Sequence, residues 1–301
     1  MANQQRKWAL ITGASPGGMG EAEAAAFLKR GVNVIATSID TNDIEYLEPK
    51  QGTSDGFLVT LRLDVTSSKS IDAAVKQVEN LTDGKLDFLV NNAGYGYFGP
   101  LMDVDIYQAK KQFDVNVWGL LAVTQGFFPL LRAAKGTIVN QASLAGVEGY
   151  SRPFMGVYSA SKAAVMNMSA AMRVELAPFD INVVTLVTSA VKTEFYTNRT
   201  GGGILETSAY FPIKEELEDM MGRSLADQKG HDRFAVAEST IDELLRTPRP
   251  LFIRKGYAAT LLVWVMWLFP AWMLDRLSVS STPVGKLKRL IGGDGEGRKD
   301  E

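Results

Sequence analysis

Short apolar runs separated by longer amphipathic stretches set the rhythm of this chain. The runs occupy 8–12, 33–36, 57–63, 88–91, 137–140, 181–186 and 251–253. They are short and rich in β-branched residues, so each predicts a strand. Between them, apolar residues recur at helical spacing over 21–30, 69–81, 106–131 and 157–176. Strands without polar alternation are buried on both faces, and strands joined by crossover helices run parallel. The expected fold class is α/β, a doubly wound parallel sheet forming a single domain over 1–255.

Two stretches break that rhythm. The first, about 194–248, holds Gly201-Gly202-Gly203, a charged helical piece at 213–227 and another helix near 239–246. It falls between the last two strands, at the carboxyl edge of the sheet, which is the place for an inserted substrate lobe or, more plainly, a packing element. The second, 256–274, has no charged residue and carries Trp264, Trp267 and Trp272. As one helix it reaches roughly 28 Å, about a hydrocarbon thickness. Pro270 opposes a straight span, and the tryptophans suit a membrane–water boundary. The expectation over 256–277 is thus a C-terminal apolar helix at a membrane surface, with a buried helix or a dimer contact as the alternatives. Beyond it, 285–301 reads as a polar tail.

Composition narrows the chemistry. With 301 residues, 46% hydrophobic, the chain can bury one large core, and a net charge of -2 gives no electrostatic case for nucleic acid. The chain has 0 cysteines, which excludes disulfides, thiolate catalysis and Cys-ligated zinc. Its 1 histidine, His231, excludes a His-cluster metal site or a His-based triad and reads as a surface residue. No metal is expected. The start of the chain has no apolar leader core, so an intracellular protein is expected.

Three groups of residues point to a dinucleotide. Ile11 ends the first strand, and Thr12-Gly13-Ala14-Ser15-Pro16-Gly17-Gly18-Met19-Gly20 leads into the first helix. Glycines there let backbone approach a pyrophosphate, while the helix N-terminus supplies amide donors and a favourable dipole, the Rossmann-like arrangement. Gly13, Ser15, Gly18, Met19 and Gly20 are the candidate contacts. After the second strand, Ser38 can hydrogen-bond the ribose of either NAD(H) or NADP(H), and no Arg follows it to meet a 2′-phosphate. Asp64 is placed for the adenine or for capping the next helix; Asn91, Asn92 and Ala93 are placed beside the ribose.

The catalytic candidates are Tyr158 and Lys162, four apart on one helix face, with Ser143 just beyond the fifth strand and Asn116 inside the helix 106–131. An ammonium beside a phenol lowers its pKa and makes it a usable acid near neutrality. Ser143 is placed to hydrogen-bond a substrate oxygen as charge develops there. Asn116 has no reason to face an apolar core unless it holds a water or a backbone group. Lys162 also suits the nicotinamide ribose.

The glycine turn, Asp64, Asn91-Asn92-Ala93-Gly94, Asn116, Ser143 and Tyr158-x-x-x-Lys162 together resemble the short-chain dehydrogenase/reductase family over roughly 7–253. More narrowly, 83–87, 134–139, 143–147 and the aromatic-rich 257–274 resemble its fungal NADPH-dependent 1-acyldihydroxyacetone phosphate reductases. The resemblance implies a ketone reductase for a small hydrophobic carbonyl or alcohol, with NADP(H) favoured, NAD(H) open, and Val191 and Thr193 meeting the nicotinamide amide. It also implies endoplasmic reticulum or lipid-droplet membranes, with the cytoplasm as the alternative, and a dimer or tetramer through the two long helices, a C-terminal membrane element limiting it to a homodimer. Three positions depart from that pattern. Ile39 and Asp40 replace a basic pair, Ser189-Ala190 replaces a Pro-Gly or Gly-Gly turn, and the lobe offers only Arg199, Lys214 and Arg223 as phosphate candidates. A ketoreductase or alcohol dehydrogenase of polyketide, terpenoid or steroid-like metabolism fits the same residues. A nucleotide-binding scaffold without turnover would leave all four catalytic candidates without a use.

Overall fold

A computed structural model describes residues 6–43, 56–149, 152–195, 197, 200–201, 203–222 and 229–293. All seven expected strands form: β1 Trp8–Ile11, β2 Asn33–Ser38, β3 Leu58–Arg62, β4 Phe88–Asn91, β5 Thr137–Ser143, β6 Asn182–Thr188 and β7 Phe252–Lys255. They make one 7-stranded sheet, every pair parallel, in the order β7-β6-β5-β4-β1-β2-β3. The order reverses at β1 and β4, which opens a crevice above their carboxyl ends.

Side-chain alternation builds two cores from each strand. In β1, Trp8 and Leu10 face one core while Ala9 and Ile11 face the other. In β5 Ile138 and Val139 divide the same way. The Trp8 side is covered by α2 Ser68–Thr82, the long helix α3 Ile106–Ala134 and α4 Gly156–Glu175. The other side is covered by α1 Met19–Leu28 and by Arg233–Leu244. Each fully buried side chain such as Phe27 or Phe88, whose rings lie 5.3 Å apart, contributes about 2–3 kcal/mol of apolar burial.

Several expectations shift. The lobe expected over 194–248 ends earlier, because Ala237, Ile241 and Leu244 pack in the α1 core. Within the lobe, α5 Lys214–Gly222 forms, and the Arg233–Leu244 helix is α6; Arg199 and Arg223 lie outside the described residues. The single apolar helix expected at 256–277 is broken at Pro270 into α7 Ala259–Leu268 and α8 Ala271–Ser281. With 10 and 11 residues, each is only about half a hydrocarbon thickness long. The stretch read as a polar tail starts as a helix, α9 Val284–Gly293, whose Leu287 is buried beside Phe154 and Met155. By length and composition α3 is apolar enough to cross a membrane, but it is packed on the sheet as a core helix. His231 is exposed, as expected.

Candidate active site

A cleft of about 640 Å³ lies above the reversal point, between the glycine turn, the ends of β2 to β6 and the lobe. Backbone clips form its floor. Thr12 Oγ1 accepts from the amides of Asn92 and Ala93, both at 3.0 Å. The Asn92 amide side chain in turn donates to Thr12 O (2.9 Å) and Gly13 O (2.8 Å). The turn is therefore locked to the end of β4 before any ligand arrives.

Glycine is required in that turn. Gly13 has φ +66, and a Cβ there would stand 2.9 Å from the Ala93 Cα, a backbone atom that cannot yield. At Gly20 a Cβ would meet Gly13 O at 2.6 Å. Gly13, Ser15, Gly18 and Met19 line the cleft where α1 begins, so the backbone lies open to a bulky anion at a helix N-terminus. The Glu21 carboxylate fastens the turn from behind, accepting from Gly17 N (2.8 Å) and from Arg233 (3.3 Å). Glu21 carries no signal in the sequence, since acids are common in a first helical turn. The lobe is tied in as well, by Glu194 N donating to Gly17 O at 3.0 Å.

One end of the cleft is edged by Ser38, Ile39 and Asp64. Ser38 and Ser15 hydroxyls are 3.2 Å apart. The Asp64 Oδ1 accepts from both N and Oγ1 of Thr66, while Ser67 caps α2, so Asp64 is not that helix's cap. Arg62, unremarked in the sequence, donates from Nε to Ile39 O at 3.1 Å. It brings a cation to a strand end whose own residues lack one.

The other end gathers Ser143, Tyr158, Lys162, Val191 and Thr193, with Asn92 and Ala93 between. Ser143 Oγ accepts from Ala145 N at 3.1 Å, which leaves its proton to give away. The turn after Ser143 presses on α4: a Cβ at Gly146 would stand 2.5 Å from Lys162 C. Tyr158 is held between aromatic rings, 6.0 Å from Phe98 and 5.2 Å from Phe195. Lys162 Nζ lies 5.9 Å from the Tyr158 ring centroid and donates to Gln141 O at 2.8 Å. Burial pushes the Lys162 ammonium down to about 8. The Ser189-Ala190 turn is braced by Gly256 (φ +92), where a Cβ would meet Ser189 C at 3.0 Å.

Four expected residues stand behind the cleft wall rather than in it. Ile11 is fully buried in the α1 core and Gly20 is buried under the turn. Asn91 faces the opposite side of the sheet, because alternation along β4 sends it there. Its amide donates to Thr124 Oγ1 and Asn140 Oδ1, both at 2.9 Å. Asn116 lies in a π-helical turn, Asp114–Gly119, within α3. Its Oδ1 accepts from Tyr95 N and its Nδ2 donates to Tyr95 O, both at 3.0 Å, and to Ser161 Oγ at 3.1 Å. It does hold a backbone group, and Tyr95, not Asn116, lines the cleft.

The cradle with open backbone, the two hydroxyls and Asp64 at one end, and the buried Lys162 at the other fit an extended dinucleotide. Among the described residues no cluster of metal-ligating side chains occurs.

Comparison with known proteins agrees with this geometry. The short chain dehydrogenase family model matches residues 7–201. The chain is 35% identical over 290 residues to the short-chain dehydrogenase srdE of Neurospora crassa, covering 96% of each. It is 37% identical over 257 residues to the NADPH-dependent 1-acyldihydroxyacetone phosphate reductase of Schizosaccharomyces pombe, covering 84% of this chain and 80% of that one. A crystal structure of a short-chain dehydrogenase from Streptomyces avermitilis superposes with a TM-score of 0.73 at 27% identity, over 94% of this chain and 98% of that one. The chain belongs to the short-chain dehydrogenase family, and it is an NAD(P)-dependent oxidoreductase.

Proposed function

We propose that this enzyme reduces a ketone on a hydrophobic substrate, and oxidises the matching secondary alcohol in reverse. The observation that carries the reading is the convergence of Ser143, Tyr158 and Lys162 on one cleft wall, against the rings of Phe98 and Phe195. Bound NADP(H) supplies or accepts the hydride. Tyr158 gives its phenolic proton to the carbonyl oxygen, or takes one from the alcohol. The Lys162 charge favours the phenolate that remains, and its free N–H donors suit the nicotinamide ribose. Ser143 donates to the substrate oxygen as negative charge grows on it. Asn116 is a positioning residue acting through Tyr95 and Ser161. Phe98 and Phe195 keep water from the phenol.

The cofactor is NADP(H), in line with the name of the fission-yeast relative. Gly13, Ser15, Gly18 and Met19 would hold its pyrophosphate, Ser38 and Asp64 its adenosine, and Val191 and Thr193 its carboxamide. The first substrate candidate is an acyl dihydroxyacetone phosphate. The test is nicotinamide absorbance with NADPH and NADH in parallel, offering palmitoyl-dihydroxyacetone phosphate and a panel of polyketide, terpenoid and steroid ketones. Turnover of the first places the enzyme in glycerolipid synthesis. Turnover of the panel alone moves it to specialised metabolism, and NADPH binding without turnover of any carbonyl contradicts the reading.

The same reading places the enzyme on a membrane surface. Trp264, Trp267, Leu268, Phe269 and Trp272 are exposed along α7 and α8, neither of which is long enough to span. Flotation with liposomes that survives replacement of all three tryptophans by serine would remove this support.

A further inference from the structure

The cleft holds one cation that neither the dinucleotide nor the proton transfer uses. Arg152 lines it together with Met155 and Tyr158, on the loop that leads into α4. It is half-buried, and among the described residues it has no hydrogen bond or ion pair. A guanidinium carries five donors and a permanent charge, and half-burying it unpartnered is unfavourable until an acceptor arrives.

The loop around Arg152 is constructed to place it. Phe154 adopts φ 67, a left-handed conformation that costs a side-chain-bearing residue about 1–2 kcal/mol. Gly99 N holds it there by donating to Phe154 O at 2.8 Å. The turn sends Phe154 and Met155 into an apolar cluster with Phe98, Ile204, Ile213 and Leu217, and leaves Arg152 on the cleft side. The other charged residues lining the cleft are occupied or distant. Asp64 and Glu194 flank the cofactor half, and Lys162 is bound to Gln141 O. Of the three phosphate candidates Arg199, Lys214 and Arg223, only Lys214 is among the described residues, and it is paired with Glu218 at 3.9 Å.

We propose that Arg152 is an anion-recognition subsite for the substrate. The substrate class is then an amphiphilic ketone: an apolar chain along the Leu144, Met155 and Phe195 lining of the cleft and an anionic head, phosphate ester or carboxylate, on the guanidinium. The inference rests on the carbonyl-reduction reading above and narrows it.

The test is calorimetric binding of decyl phosphate, decanoate and decan-1-ol to the NADP⁺-loaded protein, comparing wild type with Arg152→Gln and Arg152→Lys. Two charge-assisted hydrogen bonds predict at least about tenfold tighter binding of decyl phosphate than of decanol by the wild type. That ratio should fall to near one in Arg152→Gln and be restored in part by Arg152→Lys, which keeps the charge but not the fork. The decanoate affinity tells a carboxylate head from a phosphate head. Equal affinity of the wild type for all three probes overturns the proposal, as does an anion preference that survives Arg152→Gln. NADP⁺ affinity of each variant checks that it is folded. Separately, NADPH-dependent reduction by the wild type of palmitoyl-dihydroxyacetone phosphate, decan-2-one and the ketone panel above tests the parent reading. Turnover without anion preference defeats only the subsite; anion preference with no turnover of any carbonyl defeats only the parent reading.

Discussion

Lys162 should make the cofactor-free protein less stable than it would be without it, and by an amount that depends on pH. The side chain is buried, its ammonium donates to Gln141 O at 2.8 Å, and desolvation lowers its pKa from 10.5 to about 8. The unfolded chain holds that proton up to the higher value, and the folded chain releases it near the lower one. The penalty is therefore fully present below pH 8, shrinks as pH rises from 8 to 10.5, and is gone above. Its full size is about 3 kcal/mol, from roughly 1.4 kcal/mol for each pH unit that separates the two values. Lys162→Met removes the charge at similar length and forfeits the Gln141 hydrogen bond, worth about 1 kcal/mol. At pH 7 the variant should be more stable than wild type by about 2 kcal/mol, and by pH 10 this gap should close. Urea unfolding of both proteins at the two pH values measures it, each midpoint being read with its own slope. A gap of the same size at both pH values would refute the reasoning, whatever its sign. Carbonyl reduction should be lost in the same variant, since the charge is kept for function at the expense of stability.

Glu23 should behave with the opposite pH sign. It is buried, its carboxyl has no hydrogen-bond partner among the described residues, and burial raises its pKa from 4.5 to about 8. Its penalty is absent below pH 4.5 and grows up to pH 8, so Glu23→Gln should stabilise by about 2–3 kcal/mol at pH 7 and by nothing at pH 4, read by urea unfolding. Gly13→Ala should abolish NADPH binding, because the added Cβ meets the Ala93 backbone at 2.9 Å in a left-handed conformation; fluorescence titration within about threefold of wild type would contradict this. Leu287→Asp should destabilise the fold by about 2–4 kcal/mol, since it puts a carboxylate into the buried cluster that holds Phe154 and Met155, and an unchanged urea midpoint would detach α9 from that cluster.

The sheet was legible because its strands are apolar throughout and its helices are periodic, so each element announced itself by period and length alone. The glycine turn, Ser143, Tyr158 and Lys162 were legible because their chemistry needs particular residue types at fixed spacing. Facing was not legible. Asn91 and Asn92 are adjacent, yet alternation puts one in a polar network with Thr124 and Asn140 and the other under the glycine turn. Asn116 has the character of a cleft residue, but the π turn directs it to the Tyr95 backbone. Arg62 and Arg152 carry no local signal, since their meaning comes from a neighbouring strand and from a strained turn. The helix α9 does carry a helical period in Val284, Leu287 and Ile291, but its glycines and charges read as a tail, and the tertiary contacts of Val284 and Leu287 that hold it are not visible in the sequence.

The central claim is that Tyr158 transfers the proton when a carbonyl is reduced in this cleft. Tyr158→Phe keeps the ring between Phe98 and Phe195 and removes only the hydroxyl. NADPH affinity by fluorescence and single-turnover NADPH oxidation, measured on both proteins with a ketone that the wild type reduces, test the claim directly. With Tyr158 as the proton donor, NADPH affinity stays within about twofold and the reduction rate falls by about 10²-fold or more. A variant that binds NADPH and reduces the ketone at the wild-type rate would contradict it.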